Sequence, residues 1–183
     1  MKVTDNQYDN VVEDCKTVFE KKMNDYGSAW RVLRLPSLTD QIFIKAQRIR
    51  SIEDKGTKKI AEGIKDEFTG IVNYAVMALI QLELGPSVNE ANMPVDEALK
   101  HYKQFIGEAK MLMQDKNHDY GEAWRDMRIN SLTDIILMKL FRIKQIEDNK
   151  GVTEVSEGVD ANYFDIINYA VFALIKIEED KNQ

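Results

Sequence analysis

The run Asp25-Tyr26-Gly27-Ser28-Ala29-Trp30-Arg31 returns 94 residues later as Asp119-Tyr120-Gly121-Glu122-Ala123-Trp124-Arg125. Working outward, Ser37-Leu38-Thr39-Asp40 recurs as Ser131-Leu132-Thr133-Asp134 in the same register, and 18 of 31 positions agree between 25–55 and 119–149. One residue is then gained. At an offset of 95, 11 of 22 positions agree between 62–83 and 157–178, including Asn73-Tyr74-Ala75-Val76 against Asn168-Tyr169-Ala170-Val171. Solenoid units repeat every ~20–50 residues, so a period this long marks a small domain written twice.

Each copy reads as three helices, and the fold class expected is all-α. In copy one, Tyr8, Val11, Val12, Cys15, Val18, Phe19 and Met23 form a helical stripe over about 5–26, which Gly27 ends. Ser37 with Asp40 three residues on resembles a capping box for a second helix carrying Leu38, Ile42, Lys45, Ile49 and Ile52. Lys55-Gly56-Thr57 breaks it, and a third helix runs from about 65 to 84. Copy two repeats the plan over roughly 95–120, 131–149 and 160–180. The domain organisation is copy one at 1–84, a Pro-containing linker at 85–94, and copy two at 95–183. Three such helices make a marginal core alone. Two copies about a pseudo-twofold axis, with the third helices buried against each other, form an intramolecular pseudo-dimer. Further homo-oligomerisation is left open.

Composition narrows the function. The 183 residues include 25 Lys+Arg against 31 Asp+Glu, a net charge of −6, which disfavours a nucleic-acid partner held by phosphate neutralisation. One cysteine and two histidines supply neither a disulfide nor a zinc finger. No apolar run reaches ~18 residues and the N-terminus has no apolar leader core, so no membrane partner is expected and the location expected is cytoplasmic. Glycine-rich phosphate loops are absent. Cys15, on the apolar stripe, reads as a buried hydrophobe, and Tyr8, Phe105 and Phe141 as core.

The residue types left for chemistry are acids, bases, aromatics and two amides. Glu53, Asp54, Glu62, Asp66 and Glu67 in copy one, and Glu147, Asp148, Glu157, Asp160 and Asp165 in copy two, fall at helical spacings where carboxylates can converge on a hard cation such as Mg2+. The candidate metal ligands are Glu53, Glu67, Glu147, Glu157, Asp160 and Asp165. Lys45 and Arg48, matched by Lys139 and Arg142, share a helix side and suit phosphate, as does Arg125; ion pairing with Glu53 and Glu147 is the structural alternative. Tyr26, Trp30, Tyr120 and Trp124 would stack on a base or, more commonly, plug the end of a bundle. Asn73 and Asn168 lie in apolar stretches. They either face each other to fix register or support a ligand-binding carboxylate.

Asp-Tyr-Gly-x-Ala-Trp-Arg, Ser-Leu-x-Asp, Lys-x-x-Arg-Ile-x-x-Ile-Glu and Ile-x-Asn-Tyr-Ala together resemble the nucleotide modification associated domain 1 family, in a tandem form covering most of the chain. The resemblance implies a link to nucleotide or DNA modification. A more distant resemblance is to the all-α nucleoside triphosphate pyrophosphohydrolases of the MazG and dimeric dUTPase group, which bind magnesium through Glu-x-x-Glu and Glu-x-x-Asp helices. Asp165 matches the last acid of the second motif, but Asn162 precedes it; copy one has Glu67 and then Gly70. Lys45 and Arg48 precede Glu53 where paired acids would stand. The expectation is a nucleotide-directed protein and, at its most specific, a magnesium-dependent pyrophosphohydrolase. Glu147, Glu157, Asp160 and Asp165 would then hold metal, and Arg125, Lys139 and Arg142 phosphate. The alternative is a non-catalytic binding or assembly module, in which Arg48/Glu53 and Arg142/Glu147 close on each other.

Overall fold

A computed structural model describes residues 2–56, 60–89 and 93–181, with the side chains of 60–62 left outside that description. Six helices follow in order: α1 (Lys2–Tyr26), α2 (Leu35–Lys55), α3 (Ile60–Leu84), α4 (Val95–Tyr120), α5 (Ile129–Asp148) and α6 (Val159–Lys181). No strand occurs among the described residues. The all-α expectation holds. α1 ends because Gly27 takes φ 62° and donates its N–H to the Met23 carbonyl at 2.8 Å, a left-handed stop that side chains with a Cβ disfavour. Gly56 ends α2 in the same way, at φ 60°.

The second helices begin earlier than the capping box implies. α2 starts at Leu35 with Arg34 as its cap residue, and no side chain caps it. In α2, Pro36 suits the first turn, with its fixed φ and no N–H to leave unsatisfied. α5 starts equally early, at Ile129, with Asn130 in the place of the proline, so the early start does not depend on it. Between α1 and α2 the aromatic motif forms a 3-10 turn, Ala29–Val32, repeated in copy two as Ala123–Asp126.

α3 and α6 pack against each other at the centre, with α2 against α5 on one side and α1 and α4 across the other. One continuous core results, drawing on both copies. Ile71, Val72, Val76, Ile80, Ile166, Ile167 and Val171 are all essentially inaccessible, and each such side chain contributes about 1.5–3 kcal/mol of burial. Phe141 departs from expectation: it is 61 % exposed. It lies outside that core and packs edge-on against Phe43 across the α2–α5 seam at 5.3 Å.

Polar contacts between the copies come in reciprocal pairs. The Tyr8 hydroxyl donates to Asn168 Oδ1 at 2.8 Å, and the Tyr102 hydroxyl to Asn73 Oδ1 at 2.7 Å. Each asparagine in turn donates Nδ2 to a first-helix carbonyl of its own copy, Cys15 for Asn73 and Ala109 for Asn168, both at 3.0 Å. The two asparagines therefore do not face each other. Each is saturated by a tyrosine of the other copy, because a buried amide needs both a donor and an acceptor partner and a second asparagine is not required to supply them. Thr133 donates to Glu53 and Thr39 to Glu147, both at 2.7 Å. Arg50 pairs with Asp134 at 3.6 Å and Lys144 with Asp40 at 2.8 Å.

Candidate ligand groove

Lys22 on α1, Lys45 on α2, and Lys65, Gly70 and Tyr74 on α3 border a cavity of about 580 Å3 in copy one. A second cavity of about 450 Å3 adjoins it, sharing Phe19, Lys22, Tyr74 and Met77, and extends to Tyr26, Trp30 and Leu33. Together they form a groove with cations at one end and aromatics at the other. Helix geometry sets this arrangement: Gly70, Tyr74 and Met77 are three or four residues apart and share a face of α3. The 3-10 turn holds Trp30 over the end of α1, where its Nε1 donates to the Met23 sulfur at 3.2 Å. Gln81 fixes that turn from α3, donating Nε2 to the carbonyls of Arg31 and Leu33 at 2.8 and 2.7 Å.

The groove carries charge of both signs. Lys65 is bound to Glu178 of copy two at 2.5 Å, a hydrogen bond that holds its ammonium above the ordinary lysine range. Lys45 lies 3.3 Å from Glu67, which also takes Arg48 at 2.9 Å. Lys22 has no ion-pair partner among the described residues and is exposed. Asp14 and Asp66 border the same cavity. Free aromatic surface comes from Tyr26, 73 % exposed; Trp30 is 9 % exposed and belongs mostly to the core.

Copy two carries the corresponding groove in a reduced form of about 210 Å3. Lys116, Tyr120, Trp124, Tyr169 and Phe172 stand where copy one has Lys22, Tyr26, Trp30, Tyr74 and Met77. Asp165 occupies the position of Gly70 and is clamped by Lys116 at 2.6 Å and Lys139 at 2.7 Å. Burial pulls the Lys116 ammonium down, but the hydrogen bond and charge of Asp165 outweigh it and the net direction is up.

The model of nucleotide modification associated domain 1 matches residues 22–82 and 116–177, two thirds of the chain in two blocks. The chain belongs to that family. Neither the curated proteins nor the solved structures contain a match. In this member of the nucleotide modification associated domain 1 family, both matched blocks begin at the groove lysine, Lys22 in one and Lys116 in the other, and run through the groove residues of the third helices.

The acids singled out as metal ligands are distributed differently. Glu53 and Glu147 cross to threonines of the opposite copy, Glu67 is held by Lys45 and Arg48, and Asp165 by two lysines. Glu157 and Asp160 are exposed, and Glu62 lies outside the residues whose side chains are described. Among the described residues no three His, Cys, Asp or Glu side chains gather where they could hold a metal ion. The donor set as placed does not fit a protein-held magnesium. The pairs Arg48/Glu53 and Arg142/Glu147 are not formed either. Arg48 reaches across to α3, while Arg142, Lys139 and Glu157 border a separate cavity of about 680 Å3 beside the 149–158 loop.

Arg125 is committed to structure: Glu122 at 2.6 Å, Glu179 at 2.9 Å, and the side-chain oxygens of Thr4 and Gln7, each at 2.7 Å. Its counterpart Arg31 is 1 % exposed and bonded to Gln81. Neither arginine is therefore a free surface cation. Sequence reasoning missed Lys22, Lys65 and the difference between Met77 and Phe172. The signal was in the repeat, where 77/172 and 70/165 differ inside or beside the otherwise shared Asn-Tyr-Ala-Val-x-Ala-Leu-Ile.

Cys15 is buried, and burial pushes its thiol up to about 12, which keeps it an unreactive neutral hydrophobe. Burial also raises the Glu53 and Glu147 carboxyls. A carboxyl with a raised folded value binds its proton better folded than unfolded. Its contribution favours the fold at acid pH and is lost as pH rises through that value. Glu53→Gln keeps an acceptor for Thr133 and removes the ionisation. Its melting temperature relative to the parent should therefore climb from about pH 4 to about pH 8. A pH-independent difference in paired melting curves would contradict this.

Proposed function

We propose that this family member binds a nucleotide in the copy-one groove, with the base against the Tyr26–Tyr74–Met77 end and phosphate at Lys22, Lys45 and Lys65. The observation that carries the reading is the free Lys22 beside a cavity whose other end is aromatic. A lysine with no ion-pair partner among the described residues is available to a ligand's phosphate, and aromatic faces accept any base. The reciprocal contacts between copies are those a pseudo-twofold axis would generate, and we infer such an axis between α3 and α6. On that reading each copy began with an equivalent site.

Calorimetry with the four deoxynucleoside triphosphates tests the binding. Lys22→Glu should weaken it by about tenfold or more, about 1.4 kcal/mol or greater, and Tyr26→Ala by less. The proposal fails if none of the four binds, or if Lys22→Glu binds as tightly as the parent.

Hydrolysis of the nucleotide to release pyrophosphate is the more specific reading, and one observation favours it: Asp14 and Asp66 border the cavity that holds the lysines. Magnesium arriving with a nucleotide needs only one or two carboxylates besides the phosphates, so the missing three-acid cluster does not weigh against this. Pyrophosphate release lost in Asp66→Asn with binding retained would support it, and a groove that binds without turnover would leave a binding module.

A further inference from the structure

Copy two contains, in its own side chains, the two features a nucleotide would bring to copy one. The Phe172 ring lies on the Trp124 indole at 4.3 Å between centroids and 3° between planes, the parallel stacking a base would adopt. Seven residues earlier on α6, the Asp165 carboxylate sits between Lys116 and Lys139 at 2.6 and 2.7 Å, where an anionic oxygen would be held. In copy one both are missing. Met77 replaces the ring, so among the described residues Trp30 has only Phe19 as a ring neighbour, tilted by 55° at 6.2 Å. Gly70 replaces the acid, and a Cβ there would meet the Lys45 Cε at 2.8 Å, so the lysine lies over the vacated position. Lys116 is paired; its counterpart Lys22 has no ion-pair partner among the described residues.

We propose that copy two is a self-filled replica of the copy-one groove, with Phe172 and Asp165 standing in for the base and an anionic phosphate. The chain then binds one nucleotide, not two. This rests on the nucleotide reading above and sharpens it. Ring and carboxylate are two helical turns apart, about 10.5 Å along α6. On that backbone spacing the anion position is matched better by a β or γ phosphate than by an α phosphate, so nucleoside di- or triphosphates are preferred over monophosphates. Met77, a flexible thioether in the place of the ring, can move aside for an incoming base.

Exchanging the copy-specific residues tests the idea in both directions. Met77→Phe with Gly70→Asp should fill copy one: the nucleotide-free melting temperature rises, as a ring stacks on Trp30 and Lys45 gains a carboxylate. Binding of the deoxynucleoside triphosphates falls by at least about 100-fold, about 2.7 kcal/mol. Phe172→Met with Asp165→Gly should open copy two, raising calorimetric stoichiometry from one nucleotide per chain to two. If that variant does not fold, the filled variant decides alone. Two nucleotides per parent chain, undiminished binding by the filled variant, or no rise in its nucleotide-free melting temperature would overturn the inference while leaving the nucleotide reading intact. Equal affinity for a deoxynucleoside monophosphate and its triphosphate would overturn the preferred class. A parent that binds no nucleotide while the filled variant still melts higher would overturn the nucleotide reading, and with it the ligand assigned here.

Discussion

Asn73→Ala is expected to destabilise the fold by about 3 kcal/mol, a fall of roughly 6–12 °C in melting temperature for a chain of this size. Asn73 is 5 % exposed and bonded both to the Cys15 carbonyl and to the Tyr102 hydroxyl. Truncation leaves that hydroxyl buried with no acceptor, a penalty of about 1–3 kcal/mol, and adds the small cavity of the missing amide. Tyr102→Phe alone should cost less, because it unpairs only the Asn73 Oδ1 acceptor and keeps the bond from Asn73 Nδ2 to the Cys15 carbonyl. The two changes together should cost clearly less than their sum, the mark of a direct contact in a double-mutant cycle. Asn168 and Tyr8 should behave alike, since their geometry repeats the first pair. Additive losses in either pair would show that the asparagines act through something other than the tyrosines of the opposite copy. The consequence reaches the groove, because Asn73 also borders the copy-one cavity and anchors α1 to α3 at its base.

The repeat and the helix count were legible because burial imposes a period that survives duplication. Tyr8, Cys15 and Phe19 kept their spacing and became core. The start of α2 was misread because a capping-box pattern marks an optional side-chain cap, and both second helices begin two residues ahead of its serine without using it. Phe141 was misread for a different reason. Periodicity says which side of a helix is apolar, but not whether a neighbour covers the whole of that side. The asparagines were seen to need partners, and their partners could not be read because the tyrosines lie on another copy's first helix. Metal ligation was expected from acids at helical spacing. In the folded chain those acids meet cations and hydroxyls from other helices, and helical spacing within one element carries no information about what the next element presents. The groove itself was hidden in a difference. Attention to what the copies share favours Trp30 and Arg31, both largely buried, over Gly70 and Met77, where the copies diverge.

Asp165→Asn separates an ion-pair role for that carboxylate from metal ligation. As an ion pair, Asp165 lies between two ammonium groups, one of them on the largely covered Lys139. Removing its charge leaves Lys139 without its carboxylate and sets it near Lys116. Breaking a fully buried pair from one side costs about 3–5 kcal/mol; Lys116 is half exposed and screened, so about 2 kcal/mol is expected here. The melting temperature should fall by roughly 4–8 °C. A carboxylate waiting for a cation predicts the reverse, because deleting it relieves repulsion with neighbouring acids in metal-free protein. Melting in chelator therefore distinguishes the two by sign. If Asp165→Asn is as stable as the parent or more so without metal, and the parent alone is stabilised by added magnesium, the ion-pair assignment is wrong. The same measurement on Glu67→Gln should give a smaller loss, since Lys45 stands farther from its partner, at 3.3 Å, and Arg48 is largely exposed. That ordering follows from how tightly each copy satisfies its groove cations: copy two has closed around its own carboxylate, and copy one has left a lysine for something that arrives from outside.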